Sequence, residues 1–284
     1  MTAPGGPVAE GVLVQALWSY AALVLRPAQL AKRHGLLPRS IQGQMPAAVP
    51  CPGLGPHYSL SYTSPVMLDR ATEHDHLVEE FDQMGEIYDG YVRPFSIPIM
   101  DEAVVELSSY LRADWRLLDA GCGAGREACR MARLVPHGEV VGIDLAAGMV
   151  RTAFAAARAK GLDNTAFVQA DVGALAAQFN GGFDLVYSLL AHHHYPEPAK
   201  ATRSMYRCLR PGGLYAVIDA GPDWFVQLSS PLAQWADPGW IGFHTPDQFR
   251  TLFSEAGFVD CCWIDLLPGF GLALGRRPAV ASVG

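Results

Sequence analysis

Three histidines stand side by side, His192, His193 and His194, in a chain that holds only nine. An imidazole titrates near neutral pH, so such a run can supply a base, ligate a metal or simply line a turn. A second chemistry-bearing stretch reads DAGCGAGRE from Asp119 to Glu127, with Gly121, Gly123 and Gly125 at alternate positions. Glycines let a backbone approach a ligand closely, and a helix opening behind them offers unpaired amide donors. The same turn also suits a tight strand-to-helix connection that binds nothing. Two acids follow. Asp144 lies nineteen residues beyond Gly125, where a carboxylate can accept hydrogen bonds from both hydroxyls of a ribose. Asp171 closes the run FVQAD. There a carboxylate can take the exocyclic amine of adenine while the Val172 amide reaches a ring nitrogen. Either aspartate alone could be a helix N-cap. Both together, at successive strand ends behind a glycine turn, are harder to explain by capping.

Those side chains need a scaffold that brings strand ends together, and the pattern from Arg116 onward supplies one. Short apolar runs at 116–120, 139–144, 165–171, 183–190 and 213–220 alternate with stretches of helical spacing. That rhythm is expected of a parallel sheet with helices on its faces. A helix follows with Thr245 as N-cap, Pro246 at its first position and Gly257 as its stop. Two last runs, joined at Pro268-Gly269, read as a terminal antiparallel pair. The expected fold is therefore α/β, a Rossmann-like, mostly parallel sheet of seven strands. Upstream, helical spacing is read at 67–88 and 97–111, whereas 26–66 carries seven prolines and reads as an irregular connector.

The bulk numbers narrow the partners. At 284 residues the chain suits one large domain with an appendage. A net charge of −7 argues against a nucleic-acid backbone and in favour of a small-molecule partner. The six cysteines form no CxxC pair, as expected of reduced thiols in a cytoplasmic protein. Residues 12–25 are the most apolar stretch, yet fall short of the roughly 20 needed to span a bilayer. They read as a helix packed on this chain or on a second copy of it in a homo-oligomer. A contact with a membrane surface and a targeting segment are the other readings.

Taken together, LLDAGCGAGRE, VVGIDLAAGMV, FVQADVGAL, FDLVYSLLAHHHYPEP and CLRPGGLYAVIDAG resemble the motifs of the class I, seven-stranded S-adenosylmethionine-dependent methyltransferases. The resemblance covers about residues 85–278 and looks closest to the ubiquinone/menaquinone-type small-molecule enzymes, which share GFHTPDQFRTLFSEAGF. It implies S-adenosyl-L-methionine as cofactor. It further implies that Gly121, Cys122, Gly123 and Gly125 line the methionine part and that Asp119 helps hold its amino group. Asp144 would take the ribose, Asp171 and Val172 the adenine, and Leu145, Met149 and Ser188 would also bind the cofactor. Tyr88 and Tyr91, in a segment resembling the one that folds over the sulfonium, would add cation–π contacts. A nicotinamide dehydrogenase would want GxGxxG, and the turn here reads GCGAGR. A protein that binds the cofactor for structure, cyclisation or rearrangement remains the alternative.

The division expected is an extension over 1–84 acting as lid or oligomer contact, a cofactor domain over 85–278 with a substrate-covering insertion at 221–243, and a tail over 279–284. Ligands of open α/β sheets sit beyond the carboxyl ends of the strands, which puts His192, His193 and His194 beside the reacting centre as candidate bases. The family commonly has an apolar residue and then two histidines here, so His192 is a departure, reading either as a substrate contact or as an exposed side chain. His193 and His194 could equally orient the loop. Tyr195, Asp219, Trp224, Trp240 and Phe243 are the candidate substrate contacts, and their aromatic character suits an apolar acceptor. No metal is expected, because adjacent residues on one loop rarely point at the same ion. The implied activity is methyl transfer to carbon or oxygen, less readily nitrogen, of a small and largely apolar metabolite.

Overall fold

The computed structural model describes residues 93–236 and 239–279. The extension, the helix expected at 67–88, the apolar run at 12–25 and both Tyr88 and Tyr91 lie outside the described residues. Helix α1 (Arg93–Ser108) precedes strand β1 (Arg116–Ala120), and helix α2 (Arg126–Leu134) leads to β2 (Glu139–Asp144). Then come α3 (Ala147–Ala159), β3 (Thr165–Gln169), β4 (Phe183–Leu189), α4 (Pro198–Cys208) and β5 (Leu209–Ala220). Helices α5 (Asp223–Ala236) and α6 (Pro246–Ala256) and strands β6 (Val259–Leu267) and β7 (Phe270–Arg276) complete the order.

The seven strands form one sheet in the order β3-β2-β1-β4-β5-β7-β6. Strands β1 to β5 are mutually parallel, and β7 runs antiparallel to both β5 and β6. This is the expected mostly parallel sheet with its terminal antiparallel pair. The core lies on both faces, as continuous apolar strands demand. Leu117, Val140, Leu185 and Leu214 point to one face and pack with Ala103 and Leu107 of α1 and Met131 of α2. Leu118, Val141, Val186 and Tyr215 point to the other and meet Met205 of α4 and Phe249 and Phe253 of α6. Helix α6 opens with a complete capping box, Thr245 and Gln248 each accepting the other's backbone amide, and stops at Gly257 in the left-handed region.

Three boundaries differ from the sequence reading, each for a local reason. Strand β3 ends at Gln169, not Asp171, because the Asp171 carboxylate accepts the Gly173 amide at 2.7 Å and turns the chain. Strand β5 begins at Leu209, since the ladder with β4 is already made at Phe183 and breaks register before Leu185. The aromatic stretch after β5 contains helix α5, interrupted in sequence by Pro231 yet continuous to Ala236.

The pairing of β1 with β4 stops at Asp119 opposite Tyr187, whereas β1 keeps its partner β2 to Ala120 opposite Ile143. The strand order reverses direction between β1 and β4, so a crevice opens there at the carboxyl ends. In open α/β sheets such a crevice is where ligands bind.

Candidate active site

A cavity of about 400 Å³ occupies that crevice. Gly121 and Gly123 of the glycine turn line it, whereas Gly125, expected beside them, packs on helix α3 instead. Gly121, Gly123 and Gly125 all take positive φ, a region that other L-residues rarely adopt. A Cβ at Gly121 would stand 2.6 Å from the Ala191 Cβ, and one at Gly125 would stand 2.6 Å from the Ala153 Cβ. The turn is therefore glycine both for its dihedrals and because the loop after β4 and helix α3 press against it. The Gly121 and Cys122 amides donate to the Ile143 carbonyl at 2.9 Å, and the Gly123 amide donates to the Asp144 carboxylate at 2.8 Å. With the Ala146 amide on its other oxygen at 3.0 Å, the Asp144 carboxylate is held in place at the end of β2.

Asp119, at the end of β1, is 2% exposed, and its Oδ2 makes no hydrogen bond of normal geometry, although the buried Tyr187 hydroxyl stands near enough to pull its pKa down. Burial pushes its carboxyl well above the usual carboxylate range, and the Glu127 charge pushes it the same way. A buried oxygen without a partner is costly and calls for a donor. Glu127 shares the cavity wall with it, together with Arg126, whose guanidinium lies 3.6 Å from Glu127. Leu145, Met149, Asp171 and Val172 line the same cavity, as do Cys122, Ser96, Met100, Leu189, Leu190 and Pro196.

The three histidines form a single turn of 3₁₀ helix after β4, and each meets something different. His194 borders the cavity, and its Nδ1 lies 2.9 Å from the Gly239 carbonyl. A carbonyl only accepts, so Nδ1 carries the proton in the neutral ring and Nε2 the lone pair. His193 is tied to Asp219 at the end of β5: its Nδ1 lies 2.9 Å from both carboxylate oxygens, and its amide donates to Oδ2 at 3.1 Å. Burial by itself would raise the Asp219 carboxyl, but the His193 charge and hydrogen bond outweigh it and hold the group below its usual range. The His193 and His194 ring centroids are 4.1 Å apart. His192 is wholly buried, and neither ring nitrogen has a partner. It packs against Tyr195, His244 and Phe249 at 5.0 to 5.1 Å, and burial drives its pKa down to about 3.

Several expected roles are corrected by these positions. His192 is neither exposed nor on the cavity wall, because the 3₁₀ turn directs it into the aromatic cluster on the α6 side. Ser188 is fully buried and bonded to the Tyr195 hydroxyl at 2.9 Å, away from the cavity wall. Asp219 lies beneath His193 and does not face the cavity. Trp224 is 56% exposed, and neither it nor Trp240 nor Phe243 borders the cavity. Phe243 instead packs on the His193 ring at 5.2 Å and on Trp240 at 5.5 Å. Tyr195 does line the cavity. Reasoning from sequence missed Glu127, Arg126, Ser96 and Met100. The first two carry a signal in hindsight, as charged residues in the first turn of the helix behind the glycine turn.

Among the described residues no group of three or more His, Cys, Asp or Glu side chains converges on a metal position. Among the same residues no helix is long and apolar enough to cross a membrane.

A seven-stranded sheet of this order, with an acid-flanked glycine turn at its switch point, defines a methyltransferase domain. The family model described as "Methyltransferase domain" matches residues 111–257, and the chain belongs to the class I S-adenosylmethionine-dependent methyltransferases. Among curated proteins, it is 37% identical over 116 residues to a ubiquinone biosynthesis O-methyltransferase of Albidiferax ferrireducens, covering 40% of this chain and 45% of that one. It is 35% identical over 102 residues to a trans-aconitate 2-methyltransferase of Deinococcus radiodurans, covering 36% of each. In these matches the chain spans less than half the length of either relative. Among solved structures, the YcgJ protein of Bacillus subtilis superposes with a TM-score of 0.52 at 26% identity, covering 58% of this chain and 71% of that one.

The cavity suits the family's cofactor on its own chemistry. S-adenosylmethionine carries an ammonium, for which the unpartnered Asp119 oxygen beside Glu127 is a match, and a ribose diol, for which the Asp144 carboxylate is one.

Proposed function

We propose that this chain methylates a carbon or oxygen atom of a small, largely apolar metabolite, with His194 receiving the proton that the acceptor loses. The observation that carries the reading is one cavity whose wall holds the unpartnered Asp119 oxygen, the Asp144 carboxylate and the His194 ring. Bound there, S-adenosylmethionine supplies an electrophilic methyl on a sulfonium. In this reading Asp119 and Glu127 hold its ammonium, Asp144 its ribose and Asp171 its adenine. Met100, Leu189, Leu190, Ala191 and Pro196 offer the acceptor an apolar wall that excludes water. The His194 ring on the cavity wall is the group that takes the proton. Asp219 accepts from the His193 amide and ring and so fixes the turn that carries His194. In-line displacement needs little more than this placement.

The small-molecule substrate is supported by the relatives' names and by the net charge of −7, and the division of the chain into an extension and a cofactor domain is part of the same reading. Calorimetry with S-adenosylmethionine and its demethylated product is the first test, and absence of binding would sink the reading. Methyl transfer to a panel of phenols, quinols and enolisable carbonyl compounds is the second. On an accepted substrate, His194→Ala is expected to lower kcat about 10²-fold, the usual scale of a lost general base. Full turnover in His194→Ala would remove the histidine from the chemistry.

A further inference from the structure

Tyr195 is buried at 6% exposure on the cavity wall, and its hydroxyl lies in the gap where β1 and β4 part. It donates to the Ala120 carbonyl at 2.9 Å, and its single proton is thereby used. The Ser188 hydroxyl, 2.9 Å away, must then donate to it. Ala120 is the last residue of β1, immediately before Gly121; Ser188 is the next-to-last of β4, just before the loop that carries the histidines. The two strands are not paired beyond Asp119 and Tyr187. One phenol therefore replaces the missing rung of the ladder. It also stands 3.5 Å from where a Cβ on Gly121 would be, so it meets the glycine turn from beneath.

We infer that Tyr195 is a positioning residue that sets the distance between the glycine turn and the histidine loop, and with it the alignment of methyl donor and proton acceptor. The inference rests on the methyl-transfer reading above, in which the turn holds the donor and the loop supplies the base. A phenol serves here because its ring is rigid and is itself held by His192 at 5.0 Å, while the hydroxyl bonds both strand ends at once. Burial raises the hydroxyl far above its ordinary value, so it keeps its proton and both bonds throughout the working pH range. Near-attack geometry is sensitive to shifts of an ångström or less, so the loss of one hydroxyl has a catalytic effect out of proportion to its effect on folding.

The test compares wild type with Tyr195→Phe, which keeps the ring and removes both bonds. At saturating cofactor and acceptor, kcat is expected to fall at least tenfold, with both KM values within threefold and the melting temperature within a few degrees. In the free protein, amide hydrogen exchange in peptides spanning 118–125 and 188–194 is expected to quicken together, at least fivefold, with α6 unchanged. Ser188→Ala removes one of the two bonds and should move both readouts the same way by less; it decides the matter alone if Tyr195→Phe does not fold. Unchanged exchange, quickening in only one of the two peptides, or kcat within twofold of wild type overturns the inference. Failure of the wild type to bind S-adenosylmethionine or to transfer methyl overturns the functional reading instead, and the exchange measurement still reports on the hydroxyl.

Discussion

Asp119 carries a buried carboxyl held well above the carboxylate range by burial and by Glu127, with one oxygen lacking a partner. An incoming ammonium favours its ionised form, so binding of the demethylated cofactor should release protons from this group wherever the free protein holds it protonated. Calorimetry in buffers of different ionisation enthalpy reads this directly, and the release should vanish in Asp119→Asn. His192 makes a contrasting prediction. Two unpartnered ring nitrogens in an aromatic box cost stability, so His192→Leu, similar in volume, should gain roughly 1 kcal/mol and raise the melting temperature. The pH sign follows from a folded pKa of about 3 against 6.5 unfolded. The unfolded chain binds the proton first, so stability from this group is full above about pH 6.5 and is lost as pH falls toward 3, at about 1.4 kcal/mol per unit for one proton. Denaturant melts at pH 7 and 5 should show a shallower loss in His192→Leu.

The elements around the cavity explain why some residues were readable in order and others were not. The glycine turn was visible because its dihedrals and its contacts with Ala191 and Ala153 leave no room for a Cβ. Gly121→Ala should accordingly destabilise by about 2 kcal/mol or more, from positive φ and from overpacking against Ala191, and weaken cofactor binding with it. Thermal melts and calorimetry check the two effects separately. The capping box of α6 was legible for a similar reason, because Thr245, Pro246 and Gln248 act within one turn of chain. The histidine turn was not. A 3₁₀ turn sends successive side chains in directions about 120° apart, so three identical neighbours end on a cavity wall, a buried carboxylate and an aromatic box. Nothing in the run HHH says which is which, and the partners Gly239, Asp219 and His244 are remote in sequence.

At the scale of the whole molecule, the strand order places the crevice between β1 and β4 and so assembles residues from the ends of three strands on one cavity wall. A ligand that binds only the folded chain adds stability by mass action, about 2.7 kcal/mol at a hundredfold excess over Kd. The melting temperature should therefore rise with S-adenosylhomocysteine in wild type and hardly at all in Asp144→Ala, which scanning fluorimetry can show. By itself, the sequence determined the α/β class, the seven strands and the place of the glycine turn and of the two acids, because period, glycine and strand-end acids are local signals of backbone geometry. Only the tertiary structure decided which histidine faces the cavity, that Asp219 lies beneath His193, that Ser188 serves Tyr195, and that Trp224 stays outside. The histidine partners come from loops more than twenty residues away, and the Ser188–Tyr195 contact depends on how β1 and β4 part; burial and hydrogen-bond partners of this kind are set by packing and leave no periodic trace in the chain.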